Sequence, residues 1–99
     1  MYKITYSTAV AEDLKSIGTV ERSHILDEID VQLVHEPGKA TRNRKILAGL
    51  VPPWEHVPPV WELRIGEYRV SYDLDEKGKL VMVRAIRHKP PYKTTGDIL

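Results

Sequence analysis

Residues 61–74 read WELRIGEYRVSYDL, and the alternation on both sides of Gly66-Glu67 decides the fold. Glycine at the first central position suits a two-residue type II′ hairpin turn, whose twist matches that of the flanking strands. Pairing outward from the turn joins Ile65 to Tyr68, Arg64 to Arg69, Leu63 to Val70, Glu62 to Ser71 and Trp61 to Tyr72. Side chains alternate between faces along a strand. One face therefore carries Trp61, Leu63, Ile65, Tyr68, Val70 and Tyr72, and the other carries Glu62, Arg64, Arg69 and Ser71. Like charges directly opposite each other are destabilising. The Arg64–Arg69 pair requires a neighbouring acid, a spread into solvent or an anionic ligand.

After the loop DEKG (75–78), KLVMVRAIRHK (79–89) reads as the next antiparallel strand. Placing Val81, Val83 and Ala85 on the apolar face puts Met82, Arg84, Ile86 and His88 with the arginines and sets Arg84 beside Arg69. A slip of two residues keeps these faces, whereas a slip of one inverts them. The expectation is a sheet face bearing Arg64, Arg69 and Arg84, with His88 further along.

Toward the N-terminus, YKITY (2–6) alternates as a strand. Ser7 or Thr8 supplies a helix cap, and Val10, Leu14 and Ile17 follow at helical spacing before a stop at Gly18. Thr19 caps a second helix with the stripe Ile25, Ile29 and Leu33, Leu26 alongside, ended by Pro37-Gly38. The short join predicts an antiparallel two-helix hairpin. The run KATRNRKIL (39–47) concentrates Lys39, Arg42, Arg44 and Lys45. It reads as a helix end, where cations favour the dipole, or as a phosphate-tracking segment. Four prolines between Leu47 and Trp61 predict an extended connector with no ladder role. Pro90-Pro91 ends the last strand, and TTGDIL makes at most one helical turn. The whole is a two-layer α+β fold: N-terminal strand, two-helix hairpin, antiparallel three-stranded meander. Helices cover the apolar sheet face, and the arginine face stays open.

At 99 residues the chain reads as a single domain, 1–99, with a modest core. It has no cysteine, which excludes thiolate chemistry and fits a reducing cytoplasm. No apolar run reaches membrane-spanning length, and no signal-peptide apolar region stands at the N-terminus. The net charge is only +1, so any nucleic-acid surface arises from how charge is distributed. His24 and His35 lie roughly 16 Å apart along a helix of ~1.5 Å rise, too far to share one ion. No glycine-rich phosphate loop and no Ser-His-Asp spacing appears, and neither a metal nor a cofactor is expected.

TRNRK (41–45), WELRIGEYRVSYDLDEKG (61–78) and the closing strand VMVRAIRHK together resemble the RelE/ParE superfamily of bacterial toxin–antitoxin systems. The resemblance covers nearly the full chain, and the arginine-bearing hairpin is its most specific part. It implies a small toxin, silenced by a cognate antitoxin. RelE-like members are mRNA interferases, endoribonucleases that cut mRNA on the ribosome and inhibit translation. ParE-like members poison DNA gyrase without nuclease chemistry. A fold shared by two activities leaves the site to decide between them.

Cleavage of RNA through its 2′-OH needs fixed cations at the phosphate, a base for the hydroxyl and an acid for the leaving oxygen. Arginine suits the first role, being planar, permanently charged and rich in donors. The resemblance carries the catalytic role to Arg69, with Arg64 as its partner. Near the end of the last strand the chain reads Arg87, His88, Lys89 and Tyr92. His88 has a useful intrinsic pKa, Tyr92 can stack on a base or donate a proton, and Lys89 can hold phosphate. Pro90-Pro91 interrupts the stretch where relatives continue toward a terminal tyrosine. Arg42, Arg44, Lys45, Arg84 and Arg87 are the RNA-binding candidates. Trp61 matches the phase of the core, whereas Trp54 in the proline segment is the candidate contact for the antitoxin.

Overall fold

The computed structural model describes residues 1–99. Strand β1 (Lys3–Tyr6) is followed by helices α1 (Thr8–Lys15) and α2 (Thr19–Leu33). Strands β2 (Arg44–Ile46), β3 (Trp61–Ile65), β4 (Tyr68–Asp75) and β5 (Leu80–His88) come next, and a short helix α3 (Thr95–Ile98) closes the chain. The five strands form one sheet in the order β1-β5-β4-β3-β2, with β1 parallel to β5 and every other pair antiparallel.

The hairpin has the register expected from its alternation, with Arg64 opposite Arg69 and Trp61 opposite Tyr72. Gly66 takes φ 56°, the left-handed conformation that the first position of a type II′ turn requires. The apolar face of the hairpin packs with Val81, Val83 and Ile86 against Val10, Ile17, Ile25, Ile29 and Leu33 from the two helices. Burial of each such aliphatic side chain contributes about 1.5–3 kcal/mol. Tyr72 is fully buried at the centre, stacked on Trp61, and its hydroxyl donates to the Pro37 carbonyl at 2.8 Å. Burial pushes its phenol well above the ordinary tyrosine range.

Four local expectations are corrected. Ser7 sits at the N-cap of α1, but its hydroxyl donates to the Arg84 carbonyl and so anchors the helix to β5. Gly18, expected as a stop, is the N-cap of α2, and Thr19 is the first helical residue. The basic run is not a helix end. Residues 41–44 turn back on themselves through paired Thr41–Arg44 backbone bonds, and β2 then joins β3 at the sheet edge. The arginine face, expected to be open throughout, is partly covered: the Val57 amide of the proline segment donates to Asp73, and the Thr95 hydroxyl donates to Glu62. Glu62, Ser71 and Asp73 are buried as a result.

The largest correction lies in β5. Ser71 pairs with Ala85 but Tyr72 pairs with Val83, so Arg84 is an extra residue opposite that step. A bulge shifts parity by one and moves every later side chain to the other face. Ile86 therefore joins the core opposite Val70, Arg87 rather than Arg84 lies opposite Arg69, and His88 lies opposite Tyr68 on the helix side.

Candidate functional site: a cationic cleft on the sheet face

Three pieces of chain meet on the face away from the helices. The hairpin supplies Arg64 and Arg69. The tip of the 41–44 turn supplies Arg42 and Asn43, held in place because the Arg64 amide donates to the Asn43 carbonyl at 2.7 Å. Strand β2 then alternates, sending Lys45 to this face. Just past β5, the Lys89 amide donates to the Glu67 carbonyl at 2.6 Å, which ties the exit of the strand to the hairpin turn. The result is a cleft of ≈ 260 Å³ lined by Arg42, Asn43, Lys45, Glu62, Arg64, Arg69, Lys89 and Thr95, with no apolar side chain. A second depression of ≈ 280 Å³ adjoins it over the turn and shares Arg64, Arg69 and Lys89.

Arg69 is the most constrained of these cations. Its side chain is only 10% exposed, and Nη1 donates to the carbonyls of Gly66 and Tyr68, each at 2.9 Å. A guanidinium has five N–H donors. Its Nε and Nη2 hydrogens form no hydrogen bond within the protein, and Arg69 lines the cleft. Burial lowers the pKa of Arg69, the Glu62 carboxylate opposes that shift, and Arg64 adds to it. Glu62 Oε1 lies 3.9 Å from Arg69 Nε and 4.0 Å from Lys45 Nζ. The facing arginines are thus eased by a neighbouring acid, one of the three remedies their register demands.

Five of the eleven candidate residues come together here: Arg42, Lys45, Arg64, Arg69 and Lys89. The others are engaged elsewhere. Arg44 points to the helix layer, donating to the Gln32 carbonyl and the Thr41 hydroxyl. Arg84 Nε donates to Asp73 Oδ2 at 2.8 Å. Arg87 pairs with Asp13 of α1, and its guanidinium lies 5.1 Å from the centre of the Trp54 ring. That contact leaves Trp54 half-buried. His88 Nε2 is 3.0 Å from Glu67 Oε2, and its ring lies against Tyr68. Tyr92 is 83% exposed in the segment after Pro91. Asn43, Glu62 and Thr95 complete the cleft without having been singled out for it. Glu62 was legible by alternation, being on the arginine face, but Asn43 and Thr95 reach the cleft only through the turn and the C-terminal segment.

No family model and no curated protein matches the sequence, so the likeness to known proteins is one of structure. The RelE–RelB complex of Pyrococcus horikoshii contains a chain that superposes with a TM-score of 0.68 at 22% identity, over 94% of this chain and 98% of that one. The toxin–antitoxin complex RelBE2 of Mycobacterium tuberculosis gives 0.66 at 21% identity, over 89% and 98%. The isolated RelE toxin of E. coli gives 0.66 at 15% identity, over 94% and 89%. Across nearly its whole length, the chain has the fold of the RelE toxins.

Proposed function

We propose that residues 1–99 act as one toxin domain, a metal-independent endoribonuclease that cleaves mRNA on the ribosome and is silenced by a cognate antitoxin. The observation that carries this reading is the convergence of Arg42, Lys45, Arg64, Arg69 and Lys89 on one cleft, with Arg69 locked by two turn carbonyls. The 2′-hydroxyl of a bound nucleotide releases its proton to a solvent water as its oxygen attacks the adjacent phosphorus, and the bond from phosphorus to the 5′-oxygen breaks. Negative charge gathers on the non-bridging oxygens, where the unspent donors of Arg69 and the neighbouring Arg64 meet it. Donors already oriented before the reaction contribute the largest catalytic effect of this kind. Lys89 stands beside them and donates a proton to the leaving oxygen. His88 and Tyr92 lie outside this cleft, so Lys89 takes the acid role for which His88 was the stronger candidate on sequence.

A ParE-like gyrase inhibitor is the second reading, and the observation favouring it is the absence of a histidine or tyrosine from the cleft lining. One experiment separates the two. The purified protein is added to a ribosome-containing translation extract and, separately, to a gyrase supercoiling assay. Cleaved transcripts with unaffected supercoiling support the nuclease. Intact transcripts with inhibited supercoiling overturn it. The antitoxin contact proposed for Trp54 is tested by pull-down of the neighbouring gene product with wild type and Trp54→Ala, and equal recovery removes Trp54 from that interface. No helix is long and apolar enough to cross a membrane.

A further inference from the structure

One carboxylate lies among the five cations of the cleft, and its bonding differs from that of the acids paired with the arginines of β5. Glu62 is 4% exposed. Buried carboxylates are normally held by short hydrogen bonds. Asp73 accepts from Arg84 at 2.8 Å and from the Val57 amide at 2.9 Å, and Asp13 accepts from Arg87 and from the Ile86 amide. Glu62 has no such bonds. Its Oε1 lies at 3.9 Å from Arg69 and 4.0 Å from Lys45, with a long 3.4 Å bond from the Thr95 hydroxyl. The carboxylate is held mainly by the field of the cations, with one long hydroxyl bond as its direct donor. The unspent Arg69 hydrogens therefore face a negative charge without being saturated by it.

We propose that Glu62 is a built-in counter-anion of the cleft, standing where a phosphate oxygen would otherwise approach Arg69 and Lys45 and setting how tightly the cleft holds polyanions. The inference rests on the reading above for its natural ligand, single-stranded RNA. In the free protein Glu62 eases the repulsion between Arg64 and Arg69. On binding, it opposes any anion drawn to Arg69 alone. A lone phosphate at Arg69 gains little, whereas a longer polyanion lying along the cleft also reaches Arg42, Arg64 and Lys89. Glu62 thus lowers the affinity of every anion that reaches Arg69 and Lys45, and a longer polyanion offsets this loss through its further contacts.

The test compares wild type, Glu62→Gln and Glu62→Asp, with the fold checked by melting and near-ultraviolet dichroism. The probes are a 2′-O-methyl oligoribonucleotide, which cannot be cleaved, and inorganic tripolyphosphate. Both are titrated over a potassium chloride series. Glu62→Gln is expected to bind both probes roughly tenfold more tightly at low salt. Its log–log salt slope for the oligonucleotide should steepen by about 0.7, the value for one freed cation on a single strand. Glu62→Asp keeps the wild-type slope. Equal affinity and slope in wild type and Glu62→Gln overturn the counter-anion while leaving an RNA-binding cleft intact. Tighter tripolyphosphate binding by Glu62→Gln with no oligonucleotide binding by any variant supports the counter-anion and defeats the RNA reading. Failure of every variant to bind either probe overturns both. If Glu62→Gln does not fold, Glu62→Ser takes its place; unfolding of both assigns Glu62 to sheet stability and overturns the proposal.

Discussion

Two groups of cations on one sheet face are treated in opposite ways. Along β5, Arg84 donates to Asp73 and Arg87 pairs with Asp13. Both carboxylates are tied in turn to a backbone amide, Asp73 to Val57 and Asp13 to Ile86. These arginines are fasteners: one pairs with the carboxylate that holds the proline segment through Val57, and the other joins α1 to β5 beyond the reach of β1. At the hairpin end, Arg64, Arg69 and Lys89 share the cleft with a single carboxylate that forms no short bond to them. Residue type does not separate the two groups. What separates them is whether a carboxylate with its own anchor lies at hydrogen-bond distance, because a guanidinium whose charge is offset at that distance attracts a further anion less.

The contrast is broken most directly by removing one arginine from each group. Arg69→Ala should lower cleavage by about 10²–10³-fold, the size of effect seen when one oriented charge-stabilising donor is lost. Growth arrest on expression without antitoxin should disappear with it. The stability cost should be about 1–3 kcal/mol, from two hydrogen bonds to turn carbonyls. Loss of arrest accompanied by unfolding would remove the site from the explanation. Arg84→Ala should behave in the reverse manner. It leaves the buried Asp73 with only the Val57 amide, a destabilisation of about 2–3 kcal/mol in urea unfolding. Cleavage per folded molecule should stay at the wild-type level, and a selective loss of cleavage would erase the distinction between the two groups.

A finer comparison sets Lys89 against its neighbour His88. Lys89 lines both depressions, while His88 is held by Glu67 and Tyr68 on the other side of the strand end. Lys89→Ala should slow cleavage by about 10²-fold, the lower end of the range for a positioned acid. His88→Ala should leave it nearly unchanged, and the opposite ranking would return the acid role to His88.

The smallest expected effect concerns α3 at the rim of the cleft. Backbone and side-chain hydrogen bonds from Thr94 lower the Asp97 carboxyl below its ordinary 3.8, completing a capping box. A depressed carboxylate pKa adds stability that is present above the unfolded value and lost as pH falls through the folded one. The α3 turn should therefore loosen only below about pH 3.8, seen as a shift of the Asp97 carboxyl resonance with no change in the sheet. Loosening at neutral pH would show that the cap does not hold this turn.

Much of the molecule follows from local pattern. The alternation of WELRIGEYRVSYDL dictates the hairpin, its register and the facing of Arg64 and Arg69, because glycine at the turn and a period of two admit one pairing that buries Trp61, Leu63, Val70 and Tyr72 together. The stripe Ile25, Ile29 and Leu33 likewise determines which face of α2 meets the sheet. Other features depend on contacts between distant residues. The bulge at Arg84 is invisible in LVMVRAIRH, since Ala85 and Ile86 suit either face, and only packing Ile86 against Val70 decides that Arg87 rather than Arg84 stands opposite Arg69. Strand β2 has three residues and a polar pattern, and it is a strand only because β3 offers it an edge. The cleft belongs to this second kind: Arg42 and Lys45, Arg64 and Arg69, and Lys89 lie in three separate stretches of chain, and charge spacing along a sequence carries no information about convergence across a sheet.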